Sequence, residues 1–194
     1  MNTVATVLPA RRMFLQQAGG VALSATAIAM LAGCESMAQS SMKSESQDVA
    51  ILNVALGLEH EAINAYQLGA ESGLLEQPVL ETAVLFQSHH KGHRDVLIVT
   101  IQKLGGKPVE ARPIGEYAKA LKADTLKTQG DVLVLAARLE LGATNAYLGV
   151  IPSFQDEALA KVAGRLAADE TMHWTVLNGA LARALPQAPL TFGA

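Results

Sequence analysis

The chain carries the same pattern twice. Leu58-Glu59-His60-Glu61-Ala62-Ile63-Asn64-Ala65-Tyr66 returns as Leu139-Glu140-Leu141-Gly142-Ala143-Thr144-Asn145-Ala146-Tyr147. Each copy is followed by a second matched stretch, His90-Lys91-Gly92-His93 and then Glu170-Thr171-Met172-His173. Glu59 and Glu140 stand 81 positions apart, His93 and His173 80. A helical hairpin leaves its apolar face exposed when alone, and pairing two copies buries both. The repeat therefore predicts an all-α fold: four helices in two antiparallel hairpins joined by a long crossover. It also turns a set of carboxylates and imidazoles toward the middle of the bundle.

Hydrophobic periodicity places the helices. The first is expected from Asp48 to Ser72, with Ile51, Val54, Ala55, Leu58, Ala62, Ala65 and Tyr66 on its apolar face and Gly73 ending it. The second runs from Pro78 to Gly105-Gly106, burying Val79, Leu80, Ala83, Leu85, Phe86, Val96, Leu97 and Ile101. A crossover with Pro108 and Pro113 follows, carrying a short helix around Ile114–Leu121. The third helix spans Asp131, read as its N-cap, to Val150, and the fourth Asp156 to Ala182. No strand is expected.

The N-terminus has a separate logic. Arg11-Arg12 precedes Phe14-Leu15 and an uncharged run from Ala18 to Gly33, closing in Leu31-Ala32-Gly33-Cys34. The run is shorter than the roughly 20 residues that a membrane-spanning helix needs. The twin arginine resembles a Tat export signal, and the last four residues resemble a lipobox in which Cys34 receives lipid. Four segments follow: residues 1–34 a signal peptide, 35–47 a flexible tether, 48–185 the helical domain, 186–194 a C-terminal tail. The expected location is the periplasmic side of a membrane, reached through the Tat translocase and held by lipid on Cys34. Without Arg11 and Arg12 the mature chain has 13 basic against 18 acidic residues, a mildly acidic domain. With no basic block and 4% aromatics, nucleic acid is not an expected partner. A homodimer is an admissible assembly. Cys34 is the only cysteine, so neither an intrachain disulfide nor a cysteine nucleophile in the domain is available. Gly-rich phosphate loops and Gly-x-Ser-x-Gly are also absent.

Residues three apart share a helix face, so Glu170 with His173, and His90 with His93, can serve one ion or two neighbouring ones. Tyr66 and Tyr147 lie seven residues beyond Glu59 and Glu140, where a phenol can support a carboxylate on a facing helix. His60 and Glu61 read as surface or rim, Asn64 and Asn145 as bonds between helices, and Trp174 as packing between helices. His89 lies one residue off the inward face but four before His93, so a His89–His93 pair stays open.

These motifs resemble the ferritin-like superfamily, which includes bacterioferritins, rubrerythrins and manganese catalases. Its pattern is a Glu on helices one and three and Glu-x-x-His on helices two and four. Glu59, Glu140 and Glu170-x-x-His173 match it. His90-x-x-His93 matches only in its second histidine, because His90 stands where the family has a bridging Glu. The resemblance covers nearly all of the mature chain. It implies a metal site of Glu59, His93, Glu140, Glu170 and His173, with His90 as a variant ligand. The ions implied are one or two Fe or Mn, with Zn also admissible. The implied chemistry is oxidoreduction of O₂ or peroxide. The competing expectation is an envelope or stress scaffold that is not an enzyme, with a degenerate or structural site. A closed iron-storage shell fits poorly with a lipid anchor.

Overall fold

The computed structural model describes residues 42–193. The Tat motif at Arg11 and Arg12, the lipobox Cys34 and most of the tether lie outside the described residues. Five α-helices are present among the described residues: α1 (Met42–Glu71), α2 (Gln77–Lys103), α3 (Ile114–Ala120), α4 (Gln129–Val150) and α5 (Glu157–Ala180). No strand occurs among the described residues. Helix α1 takes in residues 42–47, which the sequence assigned to the tether, and Gln47 donates a hydrogen bond to the Ser153 carbonyl.

Helix α1 packs antiparallel along α2, and α4 along α5, with α1 and α4 in contact between the hairpins. The start and stop signals explain the element ends. Gly73 adopts φ +70° after α1, a conformation that favours glycine. Pro78 occupies the first turn of α2, where its missing N–H leaves no bond broken. At the far end of α2, Gly105 has φ +74° and the Gly106 N–H donates to the Ile101 carbonyl. A Cβ on Gly106 would come within 2.5 Å of Val49 Cγ1 on α1, so glycine is required for the close approach. The N-cap of α4 is Thr128, three residues before the expected Asp131, which instead forms a reciprocal capping box with it. Asp156 caps α5 by accepting from the Ala158 N–H.

Two apolar cores stack along the bundle. One gathers Leu52, Ala55, Leu56, Leu97, Ile101, Leu159, Leu166 and Tyr147. The other gathers Tyr66, Ala83, Phe86, Leu133, Ala137 and Leu177. Full burial of a side chain such as Leu56 or Ile101 contributes about 1.5–3 kcal/mol. The buried stripe of α1 runs through Leu52 and Leu56 rather than Val54 and Leu58, which lie at its flank. On α2, Leu85 and Val96 are about half exposed, not buried as the periodicity suggested. The inward arc of α2 is narrow because histidines occupy part of it.

The crossover is fastened to α1. Asn53 donates to the Lys107 carbonyl and accepts from the Val109 N–H, and His60 Nε2 lies 3.2 Å from the Val109 carbonyl oxygen. His60 and Glu61 are consequently buried, which corrects their reading as surface or rim. Burial pushes the Glu61 carboxyl up, opposed by the charges of Arg112 and Arg138. The two asparagines do not bridge helices either. Asn64 donates to the His60 carbonyl one turn back, and Asn145 accepts from the Gly193 N–H of the tail. Trp174 packs edge-on against Phe192 of that tail.

Candidate metal centre

Between the two cores lies a polar layer. The two hairpins send six side chains into it: Glu59 from α1, His90 and His93 from α2, Glu140 from α4, and Glu170 and His173 from α5. Relative exposure is 8% for His93 and 1% or less for the other five. Burying three carboxylates is very unfavourable unless each meets a counter-charge or an ion.

His90 sits at the centre. Its Nδ1 is 2.8 Å from Glu59 Oε2 and its Nε2 3.2 Å from Glu140 Oε1. His93 Nδ1 is 3.1 Å from Glu170 Oε1, and His173 Nδ1 is 3.2 Å from Glu170 Oε2. Two tetrads result, each with its donor atoms within 4.8 Å of one another: Glu59, His90, His93 and Glu170; and His90, Glu140, Glu170 and His173. They share His90 and Glu170.

The tyrosines cross between hairpins. Tyr66 of α1 donates to Glu140 Oε1 of α4 at 2.5 Å, and Tyr147 of α4 donates to Glu59 Oε1 of α1. Each phenol reaches out of one apolar core into the polar layer. Their own ionisation is pushed well up, first by burial and then by the carboxylate each touches.

Burial raises every carboxyl in the layer, but neighbours decide the outcome. For Glu59, the hydrogen bonds and charge of His90 and His93 more than offset burial and hold its pKa at about 2. Glu140 is also lowered, against burial, by His173 and His90. Glu170 is raised, because burial exceeds what His173 and His93 return. Burial lowers the imidazoles, yet the carboxylates win again: His90 is well raised, His93 stands at about 10, and His173 is raised.

The geometry fits a cation. Three carboxylates and three imidazoles form a compact oxygen and nitrogen donor set of the kind that first-row divalent ions take. Glu140 Oε2 is buried with no hydrogen-bond partner, although His173 Nδ1 lies 3.4 Å away. A buried acceptor of this kind is expensive to leave unmet. The buried His and Glu groups can therefore hold metal.

The model of the ferritin-like domain family matches residues 47–183. The chain belongs to that family. Among solved structures, a conserved hypothetical protein, rv2844, from Mycobacterium tuberculosis resembles this ferritin-like chain with a TM-score of 0.59 and 22% identity. The match covers 70% of this chain and 97% of that one, and it shows the fold alone. No curated protein matches the sequence significantly.

Two outer partners complete this ferritin-like site: Asp169, which the sequence did not single out, and His89, which it offered only as a partner of His93. His93 Nε2 lies 3.2 Å from Asp169 Oδ2, and His173 Nε2 lies 2.9 Å from His89 Nδ1. Both histidines thus present Nδ1 to the centre and Nε2 to an outer partner on the opposite helix. His89 does not pair with His93; it stacks on His173 from the half-exposed surface. The signal was available, because His89 and Asp169 stand 80 positions apart, at the register of the repeat.

Proposed function

We propose that this chain is an exported, lipid-anchored ferritin-like metalloprotein that binds one or two Fe or Mn ions and acts on O₂ or peroxide. The observation that carries the metal reading is the convergence of six buried ligand side chains, with Glu140 Oε2 left without a donor. Glu59 and His93 would hold one ion, and Glu140 and His173 the other, with Glu170 facing both. His90 has one lone pair to give as a neutral imidazole, so it can complete only one of the two tetrads. Bound Fe or Mn would supply the electron exchange with the oxidant.

The protein's own contribution is preorganisation. Tyr66 and Tyr147 fix the free rotation of Glu140 and Glu59, so the carboxylates are aimed before an ion arrives. Asp169 and His89 fix which ring nitrogen of His93 and His173 faces inward. Phe86 stacks on the His173 ring at 4.1 Å between centroids and shields it from water. Export rests on Arg11-Arg12 and the lipobox ending at Cys34. The Tat route carries folded proteins and so suits an ion loaded before export.

One rival has an observation behind it. His90 joins Glu59 to Glu140 by hydrogen bonds, so the layer can satisfy much of its charge without an ion. That bonding supports the alternative of a ferritin-like scaffold with a degenerate or structural site. Elemental analysis of protein purified without added metal decides between them, with Glu140→Ala plus Glu170→Ala as the comparison. One or two Fe or Mn per chain, lost in the folded double variant, is the expected result. Metal-free, well-folded wild type would overturn the metalloprotein reading, and Zn alone would leave the site without redox chemistry.

A further inference from the structure

The second apolar core is not filled. A cavity of about 240 Å³ lies within it, at the bundle end that holds the α1–α2 turn. Helices α1, α2, α4 and α5 form its sides, and the crossover stretch after α3 closes it with Leu121, Ala123 and Leu126. No Lys, Arg, Asp, Glu or His lines it, and its few polar groups include Thr82 and the Tyr66 phenol. That phenol is already engaged by Glu140. Pro78 and Val176 are lining residues that remain exposed and mark the opening to solvent.

The inner end is the informative part. Tyr66 and Phe86 line the cavity and also touch the polar layer, Tyr66 through Glu140 and Phe86 through the face of His173. A molecule in the cavity is thereby one side chain away from the carboxylate and imidazole of the second tetrad. Close-packed interiors contain few voids larger than a water molecule. Apolar cavities stay dry, and one of about 150 Å³ already accommodates benzene. This one is larger, open on one side and free of charge. An ionic ligand would lose its hydration and find no counter-charge there. A segment of folded protein is too wide for the volume.

We propose that this cavity is the binding site for a neutral, apolar small molecule, an alkyl chain or a fused aromatic ring system, seated against Tyr66 and Phe86. Its binding needs only the chain; that the molecule is the substrate of the metal centre rests on the metalloprotein reading above.

The probe is 1-aminoanthracene, which is neutral at pH 7 and fluoresces more strongly in apolar surroundings. Titrated into the purified protein, it is expected to bind saturably, one per chain, and to be displaced by a medium-chain alkanol. Ala136→Trp places a ring in the cavity from α4. It should weaken binding by at least about tenfold, the scale of one buried aromatic contact. Val134→Trp, exposed on the same helix and outside the lining, should leave binding unchanged. If Ala136→Trp does not fold, Ala83→Leu fills the same space from α2 with a smaller side chain. Absence of saturable binding by folded wild type, or wild-type binding by a folded cavity-filled variant, overturns the proposal. Metal content is measured on the same samples. Metal without probe binding defeats the cavity site alone, whereas probe binding without metal defeats the metalloprotein reading and leaves the cavity site standing.

Discussion

The two hairpins are alike in the first helix of each and unlike at two inner positions of the second. Glu59 and Glu140 occupy matched positions and are gripped by matched tyrosines from the opposite hairpin. One helix over, the match breaks. The α5 copy reads Asp169-Glu170, and the α2 copy His89-His90. Two carboxyl groups on one side thus face two imidazoles on the other, while His93 and His173 keep the same inward Nδ1 geometry. Geometry has been retained across the repeat, and charge has not. A layer with four glutamates would depend on cations for its stability. This layer, with three glutamates and three histidines, carries part of its own compensation.

The largest effect is expected from restoring the match. His90→Glu puts a fourth carboxylate at the centre of the layer and removes the imidazole that joins Glu59 to Glu140. In metal-free protein this should destabilise the fold by about 3–5 kcal/mol, the scale of an uncompensated buried charge. Added Fe or Mn should recover the loss and raise the number of ions bound. Denaturant melts with and without metal read both. A variant as stable as wild type without metal would show that charge is not what separates the hairpins.

A smaller effect is expected from the half that does match. Tyr66→Phe and Tyr147→Phe each leave a buried carboxylate oxygen without its donor, a loss of about 1–3 kcal/mol. The two should agree closely in chemical denaturation. A pronounced difference would mean that the symmetry of the hydrogen bonds is not a symmetry of energies.

A further test is the pH dependence of the metal-free fold. His93 is raised from 6.5 to about 10, so its stabilisation is complete below 6.5 and is lost as pH rises through about 10. Glu59 is lowered from 4.5 to about 2, so its stabilisation is complete above 4.5 and is lost as pH falls through about 2. Melting temperature should therefore peak between these limits and fall on both sides. Metal should flatten the alkaline side, because a ligating imidazole has already given up its proton. An unchanged alkaline side in metal-loaded protein would mean that His93 is not a ligand.

Much of this was legible in the chain because a helix repeats its neighbours every few residues and a duplicated helix does so twice. That is why the sequence could place the two tyrosines and the six inward side chains, Glu59 and Glu140 among them. What stayed hidden depends on contacts with no local period. His60 is buried because the crossover lies over it, and nothing around residue 60 records where residue 109 will go. Leu85 and Val96 have core composition but face outward, since histidines take the inward arc of α2. The partners of His93 and His173 were legible from the register of the repeat, but only once residue 89 was set against 169. The cavity had no signal, because its walls are ordinary core residues and what distinguishes it is missing volume.

The crossed grip of the tyrosines ties assembly to function. Each hairpin supplies a carboxylate that the other must hold, so neither can present a finished half-site while its partner is unfolded. Fraying of α4 would free Glu59 on α1 as surely as Glu140 on α4 itself. The central layer should accordingly exchange its amide hydrogens as one cooperative unit rather than as two hairpins. Any ion held there would be released all at once, by the opening of the whole bundle.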